Sequence, residues 1–105
     1  MLLAFAATGA IALAAAGPGG GGNLTVSQKN REFAPSRIEV ARGGVVHIVN
    51  DDNVTHHVYV DSPNMKFDSG EQPIGDTVDL KFDESGTFLV RCAIHPTMRL
   101  VVTVR

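Results

Sequence analysis

The chain contains a single cysteine and no excess of basic residues. One cysteine among 105 residues excludes an internal disulfide framework. A lone thiol in an exported protein therefore needs another explanation, such as a metal or an active site. The formal net charge of −2 provides no basic field, which argues against nucleic acid as a partner. The length suits one domain and not two.

Beyond the N-terminal region, the sequence lacks a long apolar stripe at helical spacing and shows alternation instead. Val78, Leu80 and Phe82 alternate with polar residues, a pattern typical of a half-buried strand. Similar short runs recur along the chain, separated by polar and glycine-containing turns. About seven to eight such strands predict an all-β fold, a β-sandwich. Two stretches show no clear period: 61–76, predicted as a long loop, and the region around Phe33.

The first 22 residues differ in composition from the rest. Leu2 to Ala16 is apolar or small throughout, and its end carries the small-x-small pattern of a secretory signal. The run is shorter than the roughly 20 residues that a bilayer span needs. A glycine-rich linker follows. We therefore predict a signal-like segment and linker at 1–22, one domain at 23–105, and a periplasmic or otherwise extracytoplasmic location. Because no basic residue precedes the apolar run, retention as a weak membrane anchor is the alternative.

The chemically distinctive stretch is Cys92-x-x-His95-x-x-Met98, which lies between two strand-like runs. A thiolate and a thioether are soft donors, and imidazole is intermediate. With a second histidine, these residues match the trigonal His₂Cys site with a weak axial methionine that holds blue copper. Cys92 shares its strand face with Phe88 and Val90, which places the thiol at the end of the core.

Two adjacent histidines could supply the second imidazole. Successive strand residues point to opposite faces, and Val58 and Val60 are the obvious core residues. His56 shares their face and is the better candidate for a metal ligand. We expect His57 and His47 to be ordinary residues of the strand surface.

The run Cys-Ala-Ile-His-Pro-Thr-Met at 92–98 resembles the ligand loop of the cupredoxins, the type 1 blue copper family. The short loop is most similar to that of amicyanin, whereas plastocyanin and pseudoazurin have a longer gap before the methionine. The stretch from Gly43 through His56 is similar to the amicyanin segment that leads to its first histidine ligand. The resemblance covers roughly 24–105. Two positions depart from amicyanin: Thr55 replaces a proline, and His57 replaces an asparagine that helps tie the two ligand segments together.

The resemblance implies an eight-stranded Greek-key sandwich with one copper, as Cu(I) or Cu(II), near one end. Carried over by position, the implied equatorial ligands are His56, Cys92 and His95, and the axial ligand is Met98.

Other chemistries fit the donor set less well. Structural zinc sites take four cysteine, histidine or carboxylate ligands, and methionine is not among them. A Cys–His nucleophilic dyad would need an orienting Asn or Asp and a feature that lowers the pKa of the thiol, and neither is evident. Haem attachment would need Cys-x-x-Cys-His, which is absent.

The implied function is a one-electron carrier and not an enzyme, because a filled coordination shell leaves no open position for substrate. His95 is expected to reach the surface through an apolar patch that includes Ile94, Pro96 and Thr97. A redox protein such as a c-type cytochrome or an oxidoreductase would dock there weakly and transiently. The protein is expected to be a monomer, with membrane contact only if the N-terminal segment is retained. The alternative is a copper-binding protein for delivery or sequestration.

Overall fold

The computed structural model describes residues 22–105, which form nine β-strands. In chain order they are β1 (Asn23–Lys29), β2 (Glu32–Ala34), β3 (Arg37–Val40), β4 (Gly44–Asn50), β5 (Val58–Ser62), β6 (Met65–Asp68), β7 (Thr77–Phe82), β8 (Gly86–Cys92) and β9 (Arg99–Val104). The predicted signal-like segment and nearly all of the linker lie outside the described residues. Residues 22–105 contain no helix long and apolar enough to cross a membrane.

The strands pair into two mixed sheets. One has five strands in the order β3-β9-β8-β5-β6, and the other has four in the order β2-β1-β4-β7. Neighbouring strands are antiparallel except for the parallel pairs β9–β3 and β1–β4. The predicted all-β, Greek-key β-sandwich is confirmed.

Alternation along the strands fills the space between the sheets. In β7, Val78, Leu80 and Phe82 are buried while the intervening residues are exposed. The other sheet contributes fully buried residues such as Val90 and Leu100. Burial of each such side chain stabilises the fold by roughly 1.5–3 kcal/mol. Because the alternation is strict, it determines which side chains at the strand ends face the core.

Two short strands lie where the sequence shows no clear period. Strand β2 includes Phe33 and has only three residues, too few for a pattern. Strand β6 lies within the stretch predicted as a loop and pairs with β5 at the edge of its sheet. Its apolar residues Met65 and Phe67 are only partly buried. An edge strand of four residues between Pro63 and Gly70 carries too weak a hydrophobic signal to stand out.

One end of the sandwich collects the chemically distinctive residues. Cys92 is the last residue of β8 and lies opposite Val58, the first residue of β5. The end of strand β4 lies nearby. Its last residue, Asn50, donates a side-chain hydrogen bond to the carbonyl oxygen of Gln72, and the backbone of Gln72 pairs with that of His56. The loops 51–57, 69–76 and 93–98 therefore meet at this end.

Candidate metal centre

Three buried or half-buried donor atoms converge at this end. The Cys92 Sγ lies 3.6 Å from His56 Nδ1 and 3.7 Å from His95 Nδ1, and the two nitrogens are 3.2 Å apart. Among the described residues this is the one group of three or more His, Cys, Asp or Glu side chains close enough to share a metal ion. The structure thus brings together residues that are 36 positions apart along the chain.

The spacing of these atoms fits a metal ion. A point equidistant from the three donors lies about 2 Å from each, close to the length of bonds from a first-row transition metal to imidazole or thiolate. One thiolate and two imidazoles suit copper in either oxidation state, because the thiolate is soft and imidazole is intermediate. The residues present therefore fit copper.

Backbone and side-chain hydrogen bonds both hold His56, which is fully buried. Its backbone pairs with Gln72 in both directions, at 3.0 and 2.7 Å. Its Nε2 is 3.0 Å from Asp52 Oδ2. Because the carboxylate accepts the proton on Nε2, Nδ1 keeps its lone pair and faces Cys92 and His95. A carboxylate behind a ligating histidine fixes both ring orientation and tautomer.

Asp52 is buried and ionised. Burial opposes ionisation, but hydrogen bonds from the backbone amides of Arg31 and Asn53 and from the His56 ring outweigh it and lower the pKa of Asp52 to about 2. The Arg31 amide lies 2.8 Å from Oδ2 and the Asn53 amide 2.9 Å from Oδ1. The carboxylate therefore links the β1–β2 turn, the 51–57 loop and the candidate ligand His56.

His95 is the half-buried member of the group. Burial is the main cause that lowers the pKa of His95. Positive charge at His56, when that ring is protonated, and at Arg31 lowers it further, and the Asp52 carboxylate opposes them. The lowered pKa favours neutral imidazole, which is the form that binds a metal. The neighbouring Ala93, Ile94, Pro96 and Thr97 are exposed, as expected for the patch around it.

Cys92 and Met98 lie at the two ends of the connection between β8 and β9: Cys92 is the last residue of β8, and Met98 directly precedes β9. Met98 is almost completely buried, and its amide donates to the carbonyl oxygen of His95 at 2.9 Å. Arg91 Nη2 donates to the carbonyl oxygen of Pro96 at 3.1 Å. These bonds give the loop a defined turn, in which Met98 is buried and His95 lies closer to the surface.

The other two of the four histidines, His47 and His57, lie outside the group formed by His56, Cys92 and His95. His57 is half-buried, and its ring bonds Asp68 at 2.5 Å. His47 lies on the outer side of β4 and bonds Asp79 at 2.6 Å. The carbonyl oxygen of His57 accepts the amide of Ala93 at 2.9 Å, so the backbone at this position links the two ligand segments.

The interpretation of the sequence missed three polar residues that support the site. Asp52 reads as a turn residue in Asp51-Asp52-Asn53, and Asn50 as the end of a strand. Both are buried, as is Gln72. The Asn50 side chain bonds the carbonyl oxygens of Val54 and Gln72 and the amide of Asp52. A polar residue close before a candidate ligand histidine is the signal that could have indicated Asp52.

The fold and the site define a cupredoxin, a β-sandwich with two imidazoles and a thiolate gathered at one end. The sequence profile of the copper binding proteins of the plastocyanin/azurin family matches residues 21–105. The chain belongs to this family, and copper is its cofactor.

Individual relatives agree with this assignment. The methylamine utilization protein MauL of Methylophilus methylotrophus is 34% identical over 73 residues, which cover 67% of this chain and 42% of that protein. The chain thus spans less than half the length of this relative. A purple cupredoxin from Nitrosopumilus maritimus is 26% identical with a TM-score of 0.69, over 77% of this chain and 98% of that one. A mutant of amicyanin in its Cu(I) form shares the fold, with 21% identity and a TM-score of 0.72 over 78% and 81% of the two chains.

Substitution of Asp52 by alanine is expected to weaken copper binding by about 10–100-fold, the usual cost of losing a partner behind a ligating histidine. The His56 ring would lose the acceptor that fixes its orientation, and two amides would lose theirs. A competition titration with a copper chelator measures the change.

The neighbouring Asp51→Ala variant is the matched control. Asp51 is exposed, and its carboxylate accepts a hydrogen bond from Ser27 and forms no hydrogen bond or ion pair with a described histidine. Equal losses of affinity in the two variants would show that Asp52 does not act through His56.

Proposed function

We propose that His56, Cys92, His95 and Met98 hold a type 1 copper and that the protein carries single electrons between extracytoplasmic redox proteins. The observation that carries the proposal is the convergence of Cys92 Sγ, His56 Nδ1 and His95 Nδ1 at distances that one ion can span. Copper, when bound, would supply a Cu(II)/Cu(I) couple that changes by one electron. Met98 would add a weak axial thioether from the same loop.

The surroundings of the donors favour a carrier over an enzyme. Cys92 and His56 are almost completely buried at the end of the core. Polar neighbours hold the His56 segment through a network of hydrogen bonds, so the donor positions are set by the fold. A preorganised site of this kind needs little rearrangement when its charge changes. Filling of the shell by four side chains would leave no position for a substrate.

His95 provides the route for the electron. It is the more exposed of the two candidate histidine ligands, and its ring meets His56 edge to face with centroids 5.0 Å apart. Exposed Ile94 and Pro96 flank it in sequence. A small apolar surface around a half-buried imidazole suits a brief encounter with a redox protein, such as a c-type cytochrome or an oxidoreductase. We propose that the protein acts as a monomer in the periplasm or a comparable compartment.

Substitution of Met98 by glutamine is expected to lower the reduction potential while copper stays bound. An amide oxygen is a harder donor than a thioether and stabilises Cu(II) relative to Cu(I). A tenfold change in that preference corresponds to about 59 mV for a one-electron couple, and we expect a shift of at least this order. Protein-film voltammetry at neutral pH measures it.

Met65→Gln is the matched control for this change. Met65 lies on the edge strand β6 and pairs with Ser62, at the end of β5 remote from Val58 and Cys92. A potential that moves no more in Met98→Gln than in Met65→Gln would refute the axial role of Met98. Irreversible loss of copper on reduction of the unsubstituted protein would favour delivery over electron transfer.

A further inference from the structure

Three arginines border the loop 93–98, and none of them forms an ion pair within residues 22–105. They are Arg31, Arg91 and Arg99, which we call the arginine rim. The lysine and arginine side chains that do form ion pairs with described carboxylates lie elsewhere: Lys66 pairs with Asp61, Lys81 with Asp83 and Arg105 with Glu39. The positive charge of the rim is therefore available to a group outside the chain.

Arg91 and Arg99 lie directly opposite each other on the antiparallel strands β8 and β9. Like charges in this position destabilise a sheet. Arg91 Nη2 donates to Pro96, but its Nε is buried and has no partner among the described residues. A buried donor without an acceptor is uncommon in a native protein. The pair thus costs stability, and the fold provides no compensating carboxylate in the described part of the chain.

Arg31 occupies the second position of a two-residue turn between β1 and β2. Its φ of 58° and that of Asn30, 54°, are both left-handed. Such turns favour glycine or asparagine, and a long side chain is unusual there. An arginine with left-handed φ is therefore a second unfavourable local feature beside the loop 93–98, after the Arg91–Arg99 pair. Departures from local preference concentrate at functional sites.

A groove of about 570 Å³ joins Arg31 to Arg99. Its lining also includes Glu32, Ser36, Thr97 and the candidate ligand Met98. Glu32 is the one acidic residue of this lining, so the groove and the adjoining Arg91 together carry net positive charge. On the other side of Arg31, the charges of Lys29 and the exposed Asp51 offset each other, and Asp52 is buried against His56. The arginine rim extends from the β1–β2 turn of the four-stranded sheet, which holds Arg31, to β8 and β9 of the five-stranded sheet, which hold Arg91 and Arg99.

We propose that the arginine rim docks an acidic surface of the redox partner, beside the exit at His95. The proposal rests on the proposed function of electron transfer. Charge complementarity is the argument for the occupant: the rim presents three cations that form no ion pair within residues 22–105. Because the cations are spread over both sheets, an extended acidic protein surface matches them better than one small anion does. Complementary charge steers such partners and raises the rate of encounter.

The first test measures the oxidation of the Cu(I) protein by two small complexes, trianionic hexacyanoferrate(III) and tricationic tris(phenanthroline)cobalt(III). In the double variant Arg31→Gln/Arg99→Gln, we expect oxidation by the anion to slow by about tenfold at low ionic strength and oxidation by the cation to quicken. Both differences should shrink in high salt, which screens exposed charges. Arg91 is left unchanged because it also holds the loop.

Two further variants separate local charge from other causes. Arg42→Gln/Lys81→Gln removes the same charge from the opposite end of the sandwich, where Gly44 pairs with Phe82. It should have little effect. Arg31→Lys/Arg99→Lys keeps the charge and should keep the rate. Equal slowing in the distal variant, or full slowing in the lysine variant, would overturn the proposal.

The second test needs no electron transfer. A synthetic glutamate dodecapeptide is titrated into the Cu(I) protein, and amide shifts are followed by NMR. We expect shifts at Arg31, Thr97 and Arg99 and about tenfold weaker binding in Arg31→Gln/Arg99→Gln. Displacement of the peptide by inorganic phosphate at matched ionic strength would indicate a small-anion site and overturn the docking surface. If neither complex oxidises the copper reversibly, the proposed function fails, while the peptide titration still decides the role of the rim.

Discussion

Replacement of Cys92 by serine is expected to abolish the intense visible absorption of the copper-loaded protein. The band proposed for this site arises from charge transfer between a thiolate and Cu(II), and Cys92 is the only cysteine in the chain. A serine hydroxyl is a harder donor than a thiolate. It has no sulfur electrons that could be transferred to Cu(II) by visible light. The absorption spectrum of the protein loaded with one equivalent of Cu(II) measures the effect, with complete loss expected.

Serine is close in size to cysteine, so the folding of the variant can be checked separately from its copper binding. Cys92 packs in the core beside Val58, and a buried hydroxyl costs about 1–3 kcal/mol if it lacks a partner. Circular dichroism of the metal-free variant tests whether the sandwich is retained. A folded Cys92→Ser protein that keeps the visible band would refute the assignment of Cys92 as the thiolate ligand.

The spacing of donors along the sequence was enough to predict the family and the copper cofactor. Cys92, His95 and Met98 lie within one short loop, so their proximity follows from chain connectivity alone. His56 is remote in sequence, and strand parity placed it on the inward face. The structure buries His56 together with Val58 and Val60 and leaves His57 half-buried beside Tyr59. Alternation is a local property, which is why it can be read from the sequence.

The network behind His56 could not be predicted in the same way. Gln72 pairs with His56 through the backbone, a contact that depends on how the 69–76 loop folds back. Its side chain donates to the carbonyl oxygens of Ile48 and Asp76. Backbone bridges of this kind leave no periodic signal in the residues that make them. The same applies to the parallel pairing of β1 with β4, which joins distant segments.

At position 57, where the sequence departs from amicyanin, a link between the two ligand segments is made by the backbone and not by the side chain. The sequence raised the question of how the two ligand segments are joined without an asparagine side chain. In the structure, the carbonyl oxygen of His57 accepts the Ala93 amide, a bond that any residue at 57 could make. The His57 ring turns instead to Asp68. The side chain is thus free to vary while the backbone link remains.

Substitution of the two adjacent histidines provides the sharpest test of the proposed ligand set. We expect His56→Ala to lose the visible band and to weaken copper binding by more than the roughly 100-fold that marks the upper end for residues behind the ligands. Its Nδ1 faces the Cys92 sulfur, and no other described imidazole besides His95 lies within reach. Absorption spectra and chelator competition measure the two effects.

His57→Ala is the matched control, one residue away in the same segment. It removes a ring that bonds an exposed carboxylate and leaves the carbonyl that accepts the Ala93 amide. We therefore expect the band and the copper affinity to stay close to those of the native protein. A colourless His57→Ala protein with a normally coloured His56→Ala protein would mean that the strand register is shifted by one residue. Such a shift would move each side chain of the segment to the opposite face and invert the roles of the two histidines.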